Sequence, residues 1–140
     1  MIRKMRPTEV DVIGDIWLNG NLDAHDFIDK NYWINHLDEV KEQFKRADIY
    51  VYDKQGIQGF AGLTDNYIAG IFVKKEARNR GIGKQLLDYL KQRYDKLTLN
   101  VYAKNKNAFK FYQNNDFRIS VESIDEDSNE KNYQMIWSKR

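Results

Sequence analysis

The sequence predicts an α/β fold, a sandwich of helices on a mixed, mainly antiparallel sheet of about seven strands with about four helices. Three observations carry this. Apolar spacing is helical in the first third of the chain and switches at residue 48 to short, β-rich runs. Three such runs, 48-DIYVYD-53, 57-IQGFAGL-63 and 67-YIAGIFV-73, are parted only by the turn residues Lys54-Gln55-Gly56 and Thr64-Asp65-Asn66, which reads as a meander. Beyond them helical and strand-like segments alternate without a repeated βαβ winding.

The elements follow in the order β-α-α-β-β-β-α-β-α-β-β. A short opening strand ends before Pro7, and Thr8 is placed to cap a first helix with Val12, Ile13, Ile16 and Trp17 on one face. The polar stretch 19-NGNLDAHDFIDKN-31 reads as a loop, and Trp33, Leu37, Val40 and Phe44 give the second helix its apolar face. After the meander, Ile82, Leu86, Leu87, Leu90 and Tyr94 form the stripe of a third helix lying on the sheet. The strand 97-LTLNVYA-103 alternates, a short helix lies around 106-KNAFKFYQ-113, and 117-FRISVESI-124 and 132-NYQMIWS-138 make a last hairpin about the acidic tip 125-DEDSNEK-131.

At 140 residues the chain fits one domain, residues 1–140, with one sizeable core. With 41% hydrophobic and 31% charged residues it has the composition of a folded soluble protein. There is no cysteine, which excludes disulfides, thiolate metal sites and a cysteine nucleophile. Two histidines, His25 and His36, offer no recognised metal-ligand spacing, so no metal is expected. The opening MIRKMRPTEV lacks the apolar core of a signal peptide, and no run has the length of a membrane span; the expected location is cytoplasmic, with no membrane partner. A net charge of +2 is too weak to imply nucleic acid.

The informative corner is 78-RNRGIG-83, between a strand and a helix. A glycine loop opening a helix presents free backbone N–H groups and the positive end of the helix dipole, an anion site. Arg78, Arg80 and Lys84 add charge, with Lys74 and Lys75 just before, and a pyrophosphate suits such a place. The dinucleotide fingerprint fails, because Leu86 stands where its third glycine belongs. The nucleotide-hydrolase loop fails too, because Gly83-Lys84 is followed by Gln85. Taken alone, the motif is also compatible with a tight turn on a basic surface.

It does not stand alone. Arg78, Gly81 and Gly83 resemble the Arg/Gln-x-x-Gly-x-Gly/Ala signature of the GCN5-related N-acetyltransferase (GNAT) superfamily. Downstream, 105-NKNAFKFYQNNDF-117 resembles that family's Asn-x-x-Ala-x-x-Phe/Leu-Tyr-x-x-x-Gly-Phe block, with Asp116 at the usual glycine. The element order agrees with a GNAT-like fold over nearly the whole chain, and 16-IWLNGNLDAHDF-27 resembles a small bacterial branch of the superfamily.

The resemblance implies an acyl-CoA-dependent N-acetyltransferase with acetyl-CoA as cosubstrate and an amine acceptor: a small molecule, a peptide N-terminus or a lysine. Backbone groups at Ile71, Phe72 and Val73 would bind the pantetheine arm. The loop of Arg78, Asn79, Arg80, Gly81, Ile82, Gly83 and Lys84 would take the pyrophosphate, with Asn105 meeting the arm from the other side. Tyr112 would protonate the departing thiolate. On spacing alone Tyr112 reads as a core aromatic, since Ala108, Phe111 and Tyr112 share helical spacing. The Asn105-to-Tyr112 block and the upstream loop together reverse that reading.

On the acceptor side, His25 is a candidate base with Asp23 and Asp26 as companions in binding the amine, and Glu76 is a second candidate base. His25 and Asp26 also read as caps of the second helix. A module that binds an acyl-CoA or a partner protein without turnover is the alternative function, and monomer and homodimer both remain open.

Overall fold

Seven strands pair into one sheet in a computed structural model that describes residues 1–139. In chain order the elements are β1 (Ile2–Lys4), a 3-10 turn (Pro7–Glu9), α1 (Val10–Ala24), α2 (Lys30–Phe44), β2 (Asp48–Asp53), β3 (Ile57–Thr64) and β4 (Tyr67–Val73). A second 3-10 turn (Lys75–Ala77) leads to α3 (Ile82–Arg93), followed by β5 (Lys96–Tyr102), α4 (Lys106–Asn114), β6 (Arg118–Asp125) and β7 (Glu130–Ser138). The strand order is β1-β2-β3-β4-β5-β7-β6, antiparallel except where β4 meets β5. The four helices, seven strands and their order are those the sequence predicts.

Alternation along the strands sorts side chains into two layers. Ile49, Val51 and Phe60 pack with Ile13 and Ile16 of α1 and Phe44 of α2. Tyr50, Ala61, Leu63, Leu97, Leu99 and Val101 face the other way, against Ile82, Leu86, Leu87 and Leu90 of α3 and Tyr112 of α4. Helices α1 and α4 therefore lie on opposite faces of the sheet.

Three local expectations are corrected. Residues 19–24 are helical and the loop shrinks to residues 25–29. Gly20 is there for close packing, since a Cβ on it would meet the Phe72 ring at 2.8 Å, and Asn21 returns its amide to the Trp17 carbonyl one turn back. The opening of α1 is organised by Glu9, which accepts the Arg6 N–H at 2.7 Å and pairs with Arg3, and not by Thr8. The acidic tip is shorter than expected, because β6 runs to Asp125 and β7 starts at Glu130. Asp116 does adopt the left-handed backbone of its turn, φ 75°.

Candidate active site

Parallel strands β4 and β5 pair only at Tyr67–Thr98 and Ile68–Leu99. Between Gly62 and Leu63 the β3–β4 register skips one residue of β4, Ala69, and a bulge of this kind bends a strand. Beyond it β4 stays on β3 and leaves β5, opening a V-shaped gap. The Lys74 N–H bonds the Gln58 carbonyl on the β3 side. Strand alternation then turns the backbone groups of Phe72 towards β3 and those of Ile71 and Val73 into the gap. The Phe72 side chain stacks on Phe60, 5.3 Å between centroids, and faces α1.

At the open end of the gap stands the start of α3. Gly81 is its N-cap with φ 79°, a left-handed conformation that glycine takes without strain, and no side chain among the described residues caps the helix. Its first N–H groups are thus available, and a helix start of this kind favours an anion. Arg80 is exposed and makes no ion pair among the described residues, Lys84 pairs with Asp88 at 3.1 Å, and Asn79 has φ 65°. Arg78 turns inward: Nε donates to the Val73 carbonyl at 3.2 Å and Nη2 to Asp23 Oδ2 at 3.3 Å.

Tyr112 is 7% exposed on α4, edge-on to Phe111 and Phe117. Burial pushes its phenol well above the usual tyrosine value, and the neighbouring Tyr67, at the narrow end of the gap, adds to the shift. Tyr67 itself accepts a hydrogen bond from Asn100 Nδ2 at 3.2 Å. Among the described residues the Tyr112 hydroxyl has no hydrogen-bond partner, yet it is not among the sealed, unpartnered polar atoms, of which Trp33 Nε1 is the example.

His25, at the end of α1, touches Asn105, the N-cap of α4, with 3.0 Å between Nε2 and Nδ2. Its ring stacks on Trp33 and meets Tyr102 and Phe27 edge-on. Burial lowers its pKa to about 4, so it is neutral at physiological pH. The cap of α2 is Asp29, which accepts the Asn31 N–H at 2.8 Å, so neither His25 nor Asp26 fills that role.

A groove of about 510 Å³ runs between α1 and the end of β4, walled by Asp15, Asn19, Asp23, Val73, Glu76 and Arg78. The fold thus brings Asp23, Arg78 and Glu76 to one groove and His25 to Asn105. Asp26 lines a separate hollow with Leu22 and Lys30. Sequence reasoning missed Asn21, Tyr102, Phe27 and the Tyr67–Asn100 pair. Asn21 carried no usable signal, since the helical turn that sets it beside His25 lies in a stretch that reads as loop.

An uncapped, glycine-opened helix start beside a half-paired parallel strand is an arrangement that favours an anion. Comparison with known proteins gives the family. Residues 45–119 match the family model described as "Acetyltransferase (GNAT) domain". The chain is 36% identical over 122 residues to the peptidyl-lysine N-acetyltransferase YiaC of Escherichia coli, covering 85% of this chain and 84% of that one. It is 27% identical over 124 residues to the peptidyl-lysine N-acetyltransferase YjaB of Escherichia coli, covering 87% and 84%. The solution structure of apo YjaB superposes with a TM-score of 0.85 at 24% identity, covering 98% of this chain and 96% of that one. The coenzyme A complex of PaiA from Thermoplasma acidophilum superposes at 0.79 with 18% identity, covering 99% and 98%. The chain belongs to the GNAT acetyltransferase family: it is an acyl-CoA-dependent N-acetyltransferase, with acetyl-CoA as cosubstrate. Among the described residues, no helix is long and apolar enough to cross a membrane, and no group of side chains is arranged to hold a metal ion.

Proposed function

We propose that this chain, as one domain over residues 1–140, transfers acetyl from acetyl-CoA to the side-chain amine of lysine in peptides, with Tyr112 as the acid. The observation that carries this reading is the gap between β4 and β5, which ends on the uncapped start of α3, with the phenol of Tyr112 near Tyr67 of its narrow end. The lysine acceptor is supported by the activity for which YiaC and YjaB are named.

In this reading the backbone edge at Ile71 and Val73 binds the pantetheine arm as an added strand would, and supplies the N–H that stabilises the oxyanion. The N–H groups of the α3 start, with Arg78, Arg80 and Lys84, hold the pyrophosphate. Gly83 fits this role: a Cβ there would lie 3.6 Å from Phe111, an ordinary contact, so packing within the protein does not demand glycine. The acceptor enters along the groove where Asp23 and Glu76 stand, carboxylates that attract an ammonium and can pass its proton to water.

The neutral amine attacks the thioester carbonyl, and the nitrogen of the tetrahedral intermediate loses its extra proton to water. The C–S bond breaks as the amide forms, Tyr112 donates its hydroxyl proton to the departing thiolate, and water reprotonates the phenolate. The raised pKa keeps Tyr112 protonated through the working range and makes full transfer more uphill than for a phenol in water. Incubation of the protein with acetyl-CoA and a panel of peptides, read by mass spectrometry, tests this. Acetylation at lysine in peptides with blocked N-termini is expected; modification of free N-termini alone would exclude the lysine acceptor.

A further inference from the structure

His25 is bonded on both ring nitrogens, and the orientations of its partners fix which nitrogen carries the proton. The amide of Asn21, 3% exposed, gives Nδ2 to the Trp17 carbonyl at 2.9 Å, leaving Oδ1 facing His25 Nδ1 at 3.0 Å. Only a protonated Nδ1 can donate to it. The amide of Asn105 is fixed in the same way: Oδ1 accepts the Ala108 N–H at 3.2 Å as the cap of α4, which turns Nδ2 towards His25 Nε2 at 3.0 Å. The single lone pair of the neutral ring is therefore already accepting a hydrogen bond.

The location gives this arrangement a purpose. The two parts of the sheet are joined in the backbone ladder by only two β4–β5 residue pairs. The end of α1 reaches both lips of the gap, through Asp23 to Arg78 on the β4 side and through His25 to Asn105 on the β5 side. From Trp17 through Asn21, His25 and Asn105 to Ala108, a continuous hydrogen-bonded chain ties the helix on one face of the sheet to the helix on the other. Tyr112 sits one helical turn beyond Ala108.

We propose that His25 is a positioning residue: as the neutral Nδ1–H imidazole it locks the first turn of α4 to α1 across the open end of the gap, and so holds Tyr112 at the reacting sulfur. It does not take the proton of the acceptor ammonium. The proposal rests on the reading of Tyr112 as the acid. Burial of the ring, which disfavours its charged form, agrees with it.

Three measurements test it together. The ¹H–¹⁵N long-range spectrum of the wild-type imidazole at neutral pH should show Nδ1 protonated and Nε2 bare; an Nε2–H tautomer or an imidazolium overturns the proposal whatever the kinetics. Steady-state kinetics of His25→Ala should show kcat for peptide acetylation down tenfold or more with KM for the peptide within threefold. His25→Gln, whose Oε1 can accept from Asn105 but which has no titratable group, should recover kcat to within threefold of wild type. A base at position 25 predicts instead that both variants are equally inactive and that both lose the acidic limb of the pH profile. Unchanged kcat in both variants also overturns the proposal. Failure of the acid reading is seen separately: unchanged turnover in Tyr112→Phe would remove Tyr112, whereas the tautomer measurement does not depend on it.

Discussion

Arg78 and Asp23 form an ion pair of 3.3 Å that joins the loop before α3 to the end of α1, while the same guanidinium holds the Val73 carbonyl. In the proposed complex both groups have a second partner: a pyrophosphate for Arg78 and a pantetheine arm for the Val73 backbone. A half-exposed pair of this kind is worth about 0–1 kcal/mol, so a diphosphate can displace it. Asp23→Asn should tighten coenzyme A binding, by up to about fivefold, and titration of wild type and variant with CoA checks this. Weaker binding would mean that Asp23 positions Arg78 for the ligand and does not compete for it.

Tyr112→Phe removes only the hydroxyl. Acetyl-CoA affinity should stay within about twofold while kcat falls by roughly 10² to 10⁴, the usual range for a general acid. Because the hydroxyl has no hydrogen-bond partner among the described residues, the melting temperature should hold or rise. Equal turnover in variant and wild type would leave Tyr112 as the core aromatic its spacing also allows.

The two glycines of the loop should separate stability from binding. Gly81→Ala places a side chain at φ 79° and should cost about 1 kcal/mol of stability. Gly83→Ala lies inside α3 with only an ordinary contact to Phe111, so stability should be equal or slightly higher by helix propensity. It should nonetheless weaken acetyl-CoA binding by tenfold or more, since a methyl group would stand where the pyrophosphate meets the backbone. Unchanged affinity in Gly83→Ala would move the phosphate site elsewhere.

His25 also links stability to pH. Its folded pKa, about 4, lies below the ordinary histidine value of roughly 6.5, so between these pH values the unfolded chain binds the extra proton. The stabilising contribution is fully present above about pH 6.5 and is lost as pH falls through about 4, amounting to at most about 3 kcal/mol. Urea melts across this range should show stability rising with pH, and the slope should shrink in His25→Gln. An unchanged slope would show that the ring titrates normally.

These predictions also show what the sequence made legible. The meander, the stripe on α3 and the two motif blocks are local patterns, each written in one stretch of chain, and they sufficed for element order and for the corner at Gly81. The length of α1 was not legible, because Gly20 and Asn21 look like loop residues until Phe72 and Trp17 are seen against them. The pairing of His25 with Asn105 spans 80 residues and depends on how the two faces of the sheet meet at the gap, which no spacing records. Asp26 illustrates the converse: an acidic neighbour of His25 in sequence, it lines a hollow separate from the groove of Asp23 and Arg78.

The central claim is that the gap between β4 and β5 receives acetyl-CoA, and calorimetric titration tests it most directly. Wild-type protein should bind acetyl-CoA and CoA with one site per chain and should not bind NAD or ATP at comparable concentrations. Arg78→Ala and Gly83→Ala should each weaken that binding. Absence of acetyl-CoA binding by a folded wild-type protein, or binding indifferent to both substitutions, would contradict the account.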